Sequence, residues 1–395
     1  MLKHKNMNKL KSSKKSQLEF QMKHYLLSLA KTGYDWLVKL FSLGKTTTNP
    51  QKVTYLLSFP NNDHGLIREL NQKYDLTVCY TKDLTDEATG LALLGIKTQP
   101  IFGISGLKKT VKAVRTSRWC LADNYFAFLG AIKKPEGLAI IQLWHATGAI
   151  KTFGYEDASV ASRSTSDKHR FNRVYASFDA VVVASPRMGQ IFERSYGIHP
   201  EKLWSLGFPR TDHLVLEKET AVPIVKTKKR ILYLPTYRDY DLEEYPLDLA
   251  VLSERLSAEY ELWIKEHPAS HWPKPDQDDG GFVHLVETAT SADDLLLAAD
   301  VLITDYSSVA FDYSLIQPEG QLIFYWFDEA RYRTQPGLQK GIETELSSMI
   351  AYHTEEVLAM IQNTEQTDLS EFNQIWNTYN DGNATMRLLN KMDGA

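Results

Sequence analysis

From Val53 onward the chain alternates short runs of branched and aromatic residues with longer stretches whose apolar positions recur every three or four residues. Strands separated in this way by helical segments build parallel sheets, since each crossover returns the chain to the same sheet edge. The pattern predicts first-lobe strands at 53–59, 76–80, 101–104, 119–122, 138–143, 180–184 and 203–206. The stretch 215–229, with mixed charges and Pro223, reads as a linker. A second alternation follows at 230–234, 262–265, 283–286, 301–304 and 322–325, and after about Glu355 the period turns helical through Leu358, Ile361, Phe372, Ile375, Trp376 and Tyr379. The expected architecture is α/β. Two doubly wound, Rossmann-like lobes at 51–214 and 230–354 face a cleft, followed by C-terminal helices at 355–395.

Residues 1–50 follow a different pattern. Met22, Leu26, Leu29, Trp36, Leu37 and Leu40 fall at helical spacing, opposite Gln21, His24, Ser28, Lys31, Asp35 and Lys39. Lys3, Lys5, Lys9, Lys11, Lys14 and Lys15 precede them. These 50 residues hold ten lysines against Glu19 and Asp35, a balance of +8, so the net −4 of the chain conceals −12 on the other 345 residues. Two readings remain open. An amphipathic helix with a cationic approach suits an anionic membrane surface, where each lysine contributes on the order of 1 kcal/mol. Alternatively, the helix packs on the protein's own core and the lysines form a solvated arm. No run approaches the ~20 apolar residues that span a bilayer. Lys31 and Asp35 also interrupt any signal-peptide core, so the expectation is a protein lying on a membrane without crossing it.

A length of 395 residues exceeds what one hydrophobic core usually serves, and 43% hydrophobic with 24% charged content excludes a disordered chain. Cys79 and Cys120 are too few for a disulfide framework and lie in apolar runs, which points to a reducing compartment.

Several chemistries lack their motifs: no Gly-x-Gly-x-x-Gly follows a strand, and there is no Walker loop, His-Glu-x-x-His or Gly-x-Ser-x-Gly. Asp239-Tyr240-Asp241 and Asp276-Gln277-Asp278 suit either a magnesium-bound diphosphate or a solvated loop. No metal site, cofactor or nucleic-acid partner is expected. His145 follows Ile140-Ile141-Gln142-Leu143-Trp144 directly, which puts an imidazole at the carboxyl edge of a sheet, where it can accept a hydroxyl proton near neutral pH. Ala146, Thr147 and Gly148 leave little bulk beside it for an approaching substrate. In the second lobe Thr236 and Arg238, His267 and Pro268, and Ser307 and Ser308 each follow a strand. The two serines stand where a helix begins, so free N–H groups and the helix dipole offer an anion site, with plain N-capping by Ser307 as the alternative. His267 and Arg238 suit a diphosphate cradle in which His267 can protonate a leaving phosphate, or else a structural turn. Arg210 reaches the same anion or is a surface ion-pair partner.

Together, Trp144-His145-Ala146-Thr147-Gly148 with Phe153-Gly154, Gly207-Phe208-Pro209-Arg210-Thr211-Asp212, Leu234-Pro235-Thr236-Tyr237-Arg238-Asp239, His267-Pro268 and Thr304-Asp305-Tyr306-Ser307-Ser308-Val309-Ala310-Phe311-Asp312-Tyr313 resemble the CDP-glycerol glycerophosphotransferases of wall teichoic acid synthesis. Ala122-Asp123-Asn124-Tyr125-Phe126 is similar to the primase-type members. Where the family more often has His-Gly-Thr-Pro, Ala146 and Gly148 stand here. The resemblance implies a GT-B fold and a peripheral enzyme on the cytoplasmic side of the cell membrane. It would move glycerol phosphate from CDP-glycerol to an undecaprenyl-diphosphate-linked disaccharide and release CMP. His145 would be the general base. His267, Arg210, Thr236, Ser307, Ser308 and Asp312 would hold the donor's phosphates and glycerol. A short N-terminal segment favours a primase over a chain extender. A nucleotide-sugar glycosyltransferase and a non-enzymatic membrane adaptor remain the rivals.

Overall fold

The computed structural model describes residues 22, 26–220, 226–267, 270, 272–273, 280–287, 289–363 and 368–394. The lysines before residue 16, Gln21, His24, Pro268 and the 276–278 triplet lie outside them. Among the described residues, thirteen strands form two sheets. The first contains β1 (Asn49–Leu57), β2 (Asp75–Tyr80), β3 (Thr98–Pro100), β4 (Ser117–Ala122), β5 (Ala139–Gln142), β6 (Ala180–Val183) and β7 (Leu203–Ser205), in the order β3-β2-β1-β4-β5-β6-β7. The second contains β8 (Lys229–Leu234), β9 (Tyr260–Ile264), β10 (Val283–Leu285), β11 (Val301–Thr304), β12 (Gln321–Tyr325) and β13 (Ile350–Ala351), in the order β10-β9-β8-β11-β12-β13. The strand pairings are parallel. Each sheet runs outward from its first strand and then reverses, at β1/β4 and at β8/β11, and this reversal is the switch point at which doubly wound sheets bind ligands.

Buried parallel strands need apolar residues on both faces, and β6 (Ala-Val-Val-Val) and β11 (Val-Leu-Ile-Thr) are buried at every position. Ile231, Tyr233, Leu262, Ile264, Ile303 and Ile323 of the second sheet pack with Leu252 and Leu256 of helix Leu249–Leu256 and with Val357 and Ile361 of helix Thr354–Gln362. Each such aliphatic side chain contributes roughly 1.5–3 kcal/mol by leaving water. Both cysteines are buried free thiols, and burial pushes the Cys79 thiol up to about 12.

By internal packing the chain divides into two compact units. One comprises Met1–Ser58, Tyr74–Ile140 and Arg163–Asp179; the other comprises Phe59–Lys73, Ile141–Ser162 and Ala180–Ala395.

Three elements differ from the sequence expectation. The strand expected at 101–104 is Thr98–Pro100 instead, because Gly103 at φ 73° turns the backbone into helix Gly103–Thr116. The expected linker is helical as far as Thr220: helix Asp212–Thr220 buries Leu214, and Asp212 accepts the N–H groups of Ala384 and Thr385. The two-residue strand β13 is too short to leave a periodic signal.

Residues 26–41 are helical, and their burial is inverted relative to an ordinary amphipathic helix. Within the first unit, Asp35, Val38 and Ser42 are buried. Asp35 pairs with Arg173 at 2.5 Å and Arg170 at 3.4 Å, and Lys31 bonds Asp167 at 2.8 Å. Met22, Leu26, Leu29, Trp36 and Leu40 face solvent at 50–69% exposure, so the protein holds this helix by its polar side. Leu37 departs from that face: it lines a cavity of about 390 Å³ with Tyr34, Ile101, Phe102, Ile104 and Leu107.

Candidate active site

At the second switch point β8 and β11 run side by side, with Leu234 opposite Thr304, so the loops leaving them meet. Thr236 donates its backbone N–H to Asp305 at 3.0 Å and its hydroxyl to the same carboxylate. One step along, Ser307 and Ser308 lead into helix Val309–Ile316, where Ser307 Oγ accepts the Val309 N–H at 3.3 Å and the Ser308 side chain makes no capping bond. Both serines are half-buried, so the start of this eight-residue helix keeps donors for an anion.

The segment that follows β5 packs directly onto that helix. A Cβ added to Gly148 would collide with the Phe311 ring, so the missing side chain at 148 makes room for Phe311. Thr147 is fully buried, and its hydroxyl donates to Asp312 and accepts from Arg210. Arg210 closes the triangle with Asp312 at 2.9 Å. Thr147 and Asp312 thus tie the His145 segment to the serine-led helix, which sets them behind the site as its support.

His145 is half-buried at the rim. Trp144 before it adopts φ 67°, a left-handed conformation that costs a non-glycine residue roughly 1 kcal/mol or more. Gln142 Oε1 accepts the Trp144 N–H at 2.9 Å, Asn62 donates to the Trp144 carbonyl at 3.2 Å, and Phe153, Phe192 and Tyr196 surround the indole. Phe59 stacks face to face on the His145 ring, 3.8 Å between centroids and 7° between planes. Trp144 Nε1 and Arg210 Nε are buried donors without an acceptor in the described structure, and such donors suit an arriving oxygen-rich ligand.

His267 is exposed beside Tyr237, ring centroids 5.7 Å apart. Burial first, then the charges of Lys151 and Lys265, hold its pKa below the usual imidazole value, so the free protein presents a neutral ring in a positive field. Burial likewise lowers the Lys151 pKa, while Asp305 opposes that shift.

Arg238, expected in a diphosphate cradle or a structural turn, is held by two carboxylates and a carbonyl. Its side chain is 1% exposed, with Nε and Nη2 on the Asp328 carboxylate at 2.6 and 3.1 Å, Nη2 on Asp305 at 2.8 Å and Nη1 on the Thr236 carbonyl at 2.8 Å. Every nitrogen is spent on neighbours, and Lys151 and Lys265 are the cations whose charges reach His267. Phe59, Asn62 and Lys151 carried no motif in the sequence. The only available signal was that Phe59 and Asn62 follow the first strand of a doubly wound sheet. Asp239 and Asp241 are exposed, as a solvated loop would have them.

Two doubly wound parallel sheets give the chain a GT-B-type fold. Residues 66–393 match the family CDP-Glycerol:Poly(glycerophosphate) glycerophosphotransferase, and the chain belongs to that family. It is 33% identical to the teichoic acid glycerol-phosphate primase of Bacillus subtilis (strain 168), covering 86% of this chain and 91% of that one. It is 28% identical to the primase of Staphylococcus aureus (strain NCTC 8325 / PS 47), covering 92% and 98%. Among solved structures, the wall teichoic acid polymerase TagF superimposes with a TM-score of 0.67 at 19% identity, covering 95% of this chain and 97% of that one. The glycosyltransferase of kitacinnamycin superimposes with a TM-score of 0.54 at 12% identity, covering 88% and 99%. These two likenesses concern the fold alone.

Proposed function

We propose that this transferase moves glycerol phosphate from CDP-glycerol onto a hydroxyl of an undecaprenyl-diphosphate-linked disaccharide and releases CMP, acting as a primase of wall teichoic acid. The observation that carries the reading is the seating of the His145 segment on the helix led by Ser307 and Ser308, through Gly148 against Phe311 and Thr147 on Asp312. His145 takes the acceptor's proton. The serines and Arg210 bind phosphate oxygens, Thr236 joins them when its hydroxyl turns from Asp305, and Lys151 and Lys265 supply the field that draws a diphosphate to His267. A bound diphosphate raises the His267 pKa, so the ring gains a proton where the leaving CMP needs one.

The test is CMP release from CDP-glycerol with synthetic lipid acceptors bearing zero or one glycerol phosphate, with CDP-ribitol and a UDP-sugar as rival donors. Turnover of the unprimed acceptor supports the primase reading, preference for the primed one makes the enzyme an extender, and turnover of the UDP-sugar alone removes the proposal.

Phe59 keeps the base in place in this reading. Phe59→Ala is expected to lower turnover by up to about 100-fold, the scale that small misplacements of a reacting group carry, with CDP-glycerol affinity unchanged and Phe59→Tyr close to wild type. Equal turnover in Phe59→Ala would remove the stack from the mechanism.

The exposed apolar stripe of residues 26–41 supports peripheral membrane attachment, since Asp35 and its arginines hold the helix with Leu26, Leu29, Trp36 and Leu40 outward. No helix among the described residues is long and apolar enough to cross a membrane. The paired change Trp36→Glu and Leu40→Glu is expected to abolish flotation with anionic liposomes and to spare CMP release with a soluble acceptor analogue. Unchanged flotation would show that the stripe serves another purpose.

A further inference from the structure

We propose that His64, His213 and Asp293 form a binding site for one divalent transition ion of the zinc or manganese class. The proposal stands apart from the reaction assigned above. Three separate segments of the second unit supply the group: the loop before helix Leu66–Lys73, helix Asp212–Thr220, and the first turn of helix Ala292–Ala298. One ligand atom from each lies within 4.8 Å of the other two. Two imidazoles and one carboxylate are a donor set for borderline divalent ions, and three protein ligands leave a position open for water or a phosphate oxygen.

The hydrogen bonding of His213 favours an ion. Its Nδ1 lies 2.7 Å from the Arg210 carbonyl, which can only accept, so Nδ1 carries a proton. That bond fixes the ring in the manner of metal-bound histidines, whose second nitrogen commonly donates to a backbone carbonyl. In the neutral ring Nε2 then presents a lone pair to Asp293 Oδ2 at 3.3 Å, so two acceptors face each other and require a proton or a cation between them. His64 stacks on His213 with ring centroids 3.5 Å apart. His64 also sits at φ 40°, and non-glycine residues held in the left-handed region cluster at functional sites. Arg210 is the cation whose field reaches this group, and Asp312 at 2.9 Å balances it. Tetrahedral ligands of zinc stand roughly 3.4 Å apart, given bonds of about 2.0–2.2 Å. The triangle must therefore tighten by up to about 1.4 Å, and the His64 ring must swing out of its stack on His213 so that both in-plane lone pairs reach one ion.

The test uses the full-length protein, stripped with chelator and dialysed, titrated by calorimetry with ZnCl2 and MnCl2 in separate arms and by visible absorption with CoCl2. One equivalent is expected to bind, with cobalt bands typical of nitrogen and oxygen ligands. His213→Ala and Asp293→Asn are each expected to weaken binding by more than the roughly 10–100-fold that follows loss of an outer partner. His64→Asn serves as the milder variant if thermal melting shows either of the others unfolded. No bound equivalent in the wild type, or variants that bind as tightly as the wild type, would overturn the site and leave His213 and Asp293 a proton-sharing pair.

Discussion

His145→Ala is expected to turn over CDP-glycerol with its acceptor about 10²–10⁴-fold more slowly than the wild type, the usual contribution of a positioned general base. The donor's binding constant should barely move, because the proposed phosphate ligands stand on other elements: Ser307 and Ser308 at a helix start, Thr236 on the loop after β8, and Arg210 beside Asp312. The fold should also survive. The imidazole packs on the Phe59 ring and against the Trp144 ring, and the segment stays anchored without it by the Asn62 bond to the Trp144 carbonyl and by Thr147 on Asp312. Stopped assays of CMP release give the rate, calorimetry with CDP-glycerol gives the affinity, and near-UV dichroism reports the tryptophan environment. His145→Asn, closer in size, should be as slow, since an amide cannot accept the proton. A variant with near-normal turnover but weakened donor binding would move His145 from the chemistry into the donor site and overturn the assigned role.

How far the sequence carried depends on what each residue does. Strand-rich runs at regular intervals required parallel sheets, and buried strands such as β6 and β11, apolar on both faces, were legible without any partner. Strand ends were legible too: Thr236, Ser307 and Ser308 were named because they follow predicted strands, and β8 and β11 do bring their loops together. The roles of small and charged residues were not legible, since these depend on what packs against them. Thr147 and Gly148 read only as small residues beside His145, and the sequence does not show that Phe311 packs on Gly148 or that Asp312 and Arg210 enclose Thr147. Periodicity gave the helix at 26–41 its two faces but not which one is buried. Arg170 and Arg173, more than 130 residues downstream, settle that by holding Asp35. Phe59 and His145, and likewise His64 and His213, are far apart in the chain and carry no spacing motif, so only the fold reveals that they stack.

Arg238→Ala is expected to cost about 3–5 kcal/mol of stability, the penalty for removing one partner of a buried charge pair. Two carboxylates depend on this guanidinium. Asp305 is fully buried, and Asp328 also receives hydroxyls from Tyr306 and Tyr240. Without the cation both carboxylates must stay charged in a poorly solvated site or take up protons, and each course favours the unfolded chain. The rings of Tyr306 and Tyr332, 5.2 and 4.9 Å from the guanidinium carbon, lose their cation as well. Arg238→Lys should recover only part of the loss, because a single ammonium cannot span Asp328, Asp305 and the Thr236 carbonyl together. Adding Asp328→Asn to Arg238→Ala should restore some stability by removing one stranded charge, a coupling that a double-mutant cycle measures. Urea midpoints read the stability, and CDP-glycerol titration at low denaturant reads the site. If Arg238 were instead a donor ligand, the midpoint would hold and the affinity would collapse. That outcome would place the residue in the diphosphate cradle and remove its structural role.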